Sequence, residues 1–129
     1  MPRRGGPERD RRLHPRAITN LLAELTVGER SHPARVINLS LGGALLDLGA
    51  TPLEPPVALG AAVTVAIRYR GRSQPVRVEA RAVHWNSAIG PVPLLAVQFA
   101  ELDEESTEVL EELLWQAMAQ LRGRALAAP

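Results

Sequence analysis

The sequence predicts a mainly β domain closed by a single C-terminal helix, and three observations carry that expectation. Six stretches alternate apolar with polar side chains, or run briefly apolar between turn residues, at the period of a strand. Residues 103–122 instead place Leu110, Leu113, Leu114, Ala117, Met118 and Leu121 at the spacing of one helix face. Apolar residues make up 46% of the chain but aromatics only 3%, so the core has to be built from Leu, Val, Ile and Ala. A chain of 129 residues holds one such core and is too short for two ordinary ones.

Taken in order, residues 1–10 combine Gly, Pro and charge with little apolar content, and are expected to form a flexible basic tail. Residues 11–16 form an arginine-rich arm ahead of the domain proper, which spans 11–122 with strands over 17–101. The first strand is expected over 17–27, where Leu21, Ala23, Leu25 and Val27 share one face. Gly28 and the polar run to Pro33 are read as ending it. Residues 34–38 and 43–48 are two short apolar strands joined by Leu39-Ser40-Leu41-Gly42, whose glycine suits tight turning. After a Pro-rich loop at 52–56, Val63, Val65, Ile67 and Tyr69 alternate cleanly, and Gly71-Arg72-Ser73 turns the chain into a partner strand carrying Val76, Val78, Ala80 and Ala82. At Val83 and Trp85 the apolar phase moves to the other face, which predicts a bulge. Leu95, Val97 and Phe99 mark the last strand.

The helix is expected over 103–122. Asp103, Glu104 and Glu105 place negative charge at its start, and Gly123 offers a natural stop, leaving 123–129 as a flexible tail. Its apolar stripe must bury against the strands of its own chain or against a second copy, so a homodimer is one expectation. Trp115 flanks the stripe, at the edge of that packing or at an interface with another chain.

Composition excludes several classes. Without cysteine there is neither a disulfide framework nor a thiolate metal site, and a cytoplasmic location is the default. No apolar run approaches the roughly 20 residues that cross a bilayer, so no membrane insertion is expected. The net charge of +1 is unevenly spread: residues 1–16 carry six Arg against Glu8 and Asp10, while residues 101–112 carry seven acids and no base.

Two short strings carry the chemistry. Arg11-Arg12-Leu13-His14-Pro15-Arg16 offers three guanidinium forks, able to grip phosphate or the paired O6/N7 acceptors of guanine bidentately. Asn38-Leu39-Ser40-Leu41-Gly42-Gly43 offers an amide and a hydroxyl, with glycines that let backbone N–H groups approach an anion. Taken alone, the first is a basic tail and the second is turn chemistry.

Together they resemble the RRxxxR and (D/N)xSxxG signature of PilZ domains, a bacterial family that as a rule binds the second messenger cyclic di-GMP. The resemblance spans roughly residues 9–121 and is specific over these two motifs. It implies an antiparallel six-stranded β-barrel with a C-terminal helix, in agreement with the strand count above. It further implies that Arg12 and Arg16 are the main ligand contacts, with Arg11 a third, and that Asn38, Ser40, Gly42 and Gly43 complete the site. Trp85 is expected near the ligand or covering a barrel end. The implied function is that of a receptor or adaptor which changes arm and surface conformation on binding cyclic di-GMP and signals to an effector protein of motility, polysaccharide synthesis or transcription. Two departures stand out: Pro15 holds His14 extended, and Ala96 stands where many relatives have Gly, neither touching an expected contact.

No enzyme is expected. His14, His32 and His84 are widely separated and read as surface or packing residues, Ser40 lies in no GxSxG elbow, and neither a Walker loop nor a dinucleotide loop is present. No cofactor or metal is called for beyond the nucleotide ligand. Of the rival readings, a PilZ-like adaptor without nucleotide affinity would act through its helix. A nucleic-acid module would use the N-terminal arginines, but the small net charge and a single Tyr and Phe give it no stacking platform.

Overall fold

The computed structural model describes residues 17–127 except 51, 52, 54, 70 and 87–91. The arm and tail expected over residues 1–16 therefore lie outside the described residues, as do positions 128 and 129. Six strands, β1 (Ala17–Val27), β2 (Arg30–Leu39), β3 (Gly43–Asp47), β4 (Ala62–Ile67), β5 (Val76–Asn86) and β6 (Leu94–Phe99), precede one helix, α1 (Glu104–Ala127). All neighbours pair antiparallel, in the order β1-β2-β3-β6-β5-β4, and the pairing of β4 with β1 closes the barrel.

Alternation decides which side chains fill it. Leu25, Val36, Leu46, Val63, Val65, Val78 and Leu95 are fully buried, and their neighbours along each strand face outward. Val109, Leu110, Leu113 and Leu114 of α1 join the same hydrophobic cluster. The helix touches β1 and β5, two strands separated by β4, so it closes one end of the barrel instead of lying along one strand. Leu110, Leu113 and Leu114 of the apolar stripe therefore go into the chain's own barrel, with Ala117 and Met118 partly buried against the same cluster. Trp115 is left 70% exposed, outside the packing.

Two boundaries differ from the sequence reading. The polar run after Gly28 is not a loop: Gly28 and Glu29 make a two-residue turn and β2 begins at once with Arg30 opposite Val27. Gly28 supplies a φ of 61° at the first central position, where a type II′ hairpin turn takes Gly. Ser31 then bonds Thr26 hydroxyl to hydroxyl at 3.1 Å, so the polar run is an outward strand edge that periodicity does not register. The helix also continues past Gly123 to Ala127. One Gly costs about 1 kcal/mol of helix propensity, and the Arg124-Ala125-Leu126-Ala127 run that follows consists of strong helix formers.

At the other end of α1, Asp103 stands just outside the helix and its Oδ1 accepts the Ser106 N–H at 2.7 Å, so the first of the three expected acids acts as an N-cap. The expected bulge is present as well: the β5–β6 register shifts between Ala82 and His84. Two further shifts occur, in β1 between Ile18 and Leu21 and in β2 between Val36 and Asn38.

Candidate functional site

The motif at residues 38–43 forms the connection between β2 and β3. Its backbone closes with the Ser40 N–H donating to the Gly43 carbonyl at 2.9 Å. The Ser40 hydroxyl, 8% exposed, accepts the N–H groups of Gly42 and Gly43 at 3.1 and 3.2 Å. Ser40 thus shapes the turn through its acceptor side, while its own O–H has only the Gly43 carbonyl, at 3.4 Å.

The glycines matter for a different reason than turning. Neither Gly42 nor Gly43 adopts a positive φ. A Cβ on Gly43 would sit 2.3 Å from the Val97 carbonyl oxygen of β6, so the absence of a side chain is what lets β3 and β6 approach here. The Phe99 N–H donating to the Gly42 carbonyl at 2.9 Å extends that pairing into the loop.

Register turns these elements into a surface. Ile18 pairs with Asn38, Asn38 with Leu45, Leu45 with Ala96, and Ala96 with His84, so one cross-strand row runs over β1, β2, β3, β6 and β5. From Asn38 to His84 are three inter-strand steps, about 14–15 Å along the sheet. Above this row lies an open recess of about 530 Å³, lined by Asn38, Ser40, Gly42, Leu45, His84 and Ala96, with Asn86 and Gln98 at its rim. Its floor is apolar and its two ends are polar.

The bulges explain why it lies there. Asn38 and His84 are each the first paired residue beyond a register shift, where one extra residue re-aims the side chains that follow. Ala17, the residue that follows Arg16 in the chain, pairs with Leu39 of the same connection.

Of the residues named from the sequence, the structure brings Asn38, Ser40, Gly42 and Gly43 together around this recess. Arg11, Arg12 and Arg16 lie outside the described residues. Trp85 does not line the recess: it pairs with Leu95, which pairs with Leu46, and it packs against the core in that inward row. Ala96, noted in the sequence only as standing where many relatives have Gly, lines the recess between Leu45 and His84. His84, Asn86 and Gln98 were not singled out as site residues. The phase change at Val83 held the signal for His84, because moving Trp85 inward turns its neighbours outward.

Among the described lining residues His84 is the one ionisable side chain. No group of three or more His, Cys, Asp or Glu among the described residues is placed to hold a metal ion. No described helix is long and apolar enough to cross a membrane.

These features define a six-stranded barrel domain with an outward recess framed by an NxSxxG turn. The chain belongs to the PilZ domain family, whose model matches residues 10–116. A search of the curated proteins found no match. Solved structures with the same fold include the PilZ domain of YcgR from Escherichia coli with c-di-GMP, at 16% identity and a TM-score of 0.75, covering 92% of this chain and 99% of that one. The Bacillus subtilis inhibitor of motility, MotI/DgrA, has 14% identity and a TM-score of 0.68, covering 93% of this chain and 53% of that one. The K. pneumonia MrkH complex with c-di-GMP has 11% identity and a TM-score of 0.66, covering 96% and 56% respectively. At these identities the likeness is one of fold.

Proposed function

We propose that this chain is a receptor for cyclic di-GMP, which it holds between Arg11, Arg12 and Arg16 and the outer wall of the barrel, and that binding is passed to a partner protein. The observation that carries this reading is the cross-strand row from Ile18 through Asn38 to His84: the arm leaves the barrel two residues from the row that floors the recess. Guanidinium groups at that edge have phosphates and guanine O6/N7 pairs as natural partners, each good bidentate contact contributing about 1–3 kcal/mol of base discrimination.

Each wall residue then has a role. Asn38 presents an amide to the ligand's polar edge, while Leu45 and Ala96 offer a flat apolar floor to a purine face. Ser40 holds the turn, and Gly42 and Gly43 keep it low against β6. The YcgR and MrkH structures that share the fold contain c-di-GMP, which supports the choice of ligand. The output is a changed surface, not a reaction, and its recipient is a cytoplasmic component of motility, polysaccharide synthesis or transcription; the motility inhibitor among the structural neighbours favours the first.

Titration calorimetry of the purified protein with cyclic di-GMP, with GMP as control, tests this. We expect saturable heat with cyclic di-GMP that is lost in the Arg12→Ala, Arg16→Ala double variant. No heat from well-folded protein would overturn the reading.

A further inference from the structure

The arm's root lies at the Asn38 end of the recess, and the other end belongs to His84. This asymmetry is informative because cyclic di-GMP carries two phosphate charges. An anion gripped by arginines at one end still presents charge to the opposite wall. There the side chains of β6 are neutral: Ala96 opposite His84, with Gln98 and Leu94 on either side. On β3, Leu45 and Gly43 face the recess, while the Asp47 Oδ1 accepts the Gly49 N–H at 2.8 Å and Asp47 lines a separate recess with Arg35. On the β4 side, the loop that bonds Ala82 through Gly60 and Ala61 carries no charge over residues 58–61. Helix α1 reaches β5 too, but its Glu104, Glu105, Glu108, Glu111 and Glu112 do not line the recess. On β5 itself Arg81 is the nearest charge, one row away, opposite Gln98.

We propose that His84 is a ligand contact of the recess, holding a phosphate of the bound nucleotide in its imidazolium form, so that capture of the messenger tightens as pH falls. This rests on reading the recess as the cyclic di-GMP site. An imidazole is the side chain whose charge ordinarily changes between about pH 5 and 8, and the protonated ring donates from both nitrogens where the neutral one donates from one. His84 is exposed to solvent in the open recess, so the proton has free access. Its neighbours on β6 and β3 hold no carboxylate that would compete for the charge.

The test compares the wild-type protein with His84→Gln, which keeps a polar donor of similar reach and removes the titration. Cyclic di-GMP affinity is measured for both by calorimetry, and matching circular dichroism and melting curves establish that the variant folds. We expect the wild-type Kd to fall, between about pH 8 and about pH 5.5, by about threefold to tenfold more than that of the variant, whose arm still carries His14; this is the difference between a charge-assisted and a neutral hydrogen bond. By linkage, the His84 ring resonances followed by NMR should titrate at a higher pH with ligand than without. A variant that keeps the wild-type pH dependence, or a ring that titrates identically with and without ligand, overturns the role of His84 and leaves the receptor reading intact. Absence of binding at both pH values in both proteins overturns the two together.

Discussion

At the scale of single residues, the two glycines of the NxSxxG turn do separable jobs. Gly43 lies against β6, where an added methyl would meet the Val97 carbonyl at 2.3 Å; backbone cannot swing aside as a flexible side chain would. Gly42 is exposed, and a Cβ there would find only the Ser40 Oγ, at 3.8 Å. We therefore expect Gly43→Ala to cost about 2–3 kcal/mol or more in urea unfolding, as overpacking against a fixed neighbour does, and Gly42→Ala to change little. Equal losses in both would mean that the close approach of β3 to β6 is not what this position protects. Ser40 belongs to the same unit, because its hydroxyl serves the N–H groups that Gly42 and Gly43 bring inward. Three residues of the motif, Ser40, Gly42 and Gly43, line the recess and also give its β2–β3 side its shape. The sequence displays which residues are present, but whether a serine hydroxyl points at a ligand or back at its own turn depends on the loop's closure, which spacing does not specify.

At the scale of elements, helix α1 draws on electrostatics at its start and on packing along its length. Asp103 is held below its ordinary carboxylate value, first by the Ser106 backbone N–H and then by the Ser106 side chain. A carboxyl with a lower pKa folded than unfolded binds its proton less readily in the native state, so acid favours unfolding. Its stabilisation is present above the ordinary carboxylate pKa and is lost as pH falls through the lower, native one. Asp103→Asn keeps a capping oxygen and removes the titration, so thermal melts across the acid range should show a shallower decline than in wild type. Superimposed acid branches would count against the cap as a pH-sensitive element. This start was legible in the sequence because capping is local chemistry. The end was not: Gly123 is a sound stop signal, yet the helix runs to Ala127 because the residues beyond it favour helix. The β2 start at Arg30 was hidden for a related reason, since an outward polar edge carries no apolar alternation and is fixed by the turn ahead of it. The bulge in β5 was legible, as an apolar phase change, but the surface consequence of turning His84 outward emerged only once the strand was paired with β6.

At the scale of the molecule, stability and recognition draw on different parts of the chain. The buried cluster is built from the inward rows of the barrel and the inner face of α1, and among the described residues it begins at Ala23, with Leu21 packed against it. The recess lies on the outer wall, on a row whose alternate neighbours face the core. The three expected ligand arginines precede the first strand altogether. The pattern of apolar residues was therefore enough to forecast six strands and a helix, and the NxSxxG motif enough to name the β2–β3 side of the recess. Its β5 and β6 wall was not foreseen, because it is assembled by pairing between segments more than forty residues from the turn. The separation makes a sharp prediction. Arg12→Ala, Arg16→Ala should leave the Tm of the ligand-free protein nearly unchanged while abolishing the stabilisation that cyclic di-GMP gives, because a ligand raises Tm only through its affinity for the folded state. Leu110→Ala, at a fully buried position where α1 meets the barrel interior, should do the reverse: about 2–5 kcal/mol lost without ligand, with the Tm increment on adding ligand retained. Differential scanning fluorimetry of the three proteins, with and without ligand, distinguishes the cases. If the arginine variant melted early on its own, the arm would be part of the fold's support, and the division between a load of core contacts and a separate binding edge would have to be abandoned.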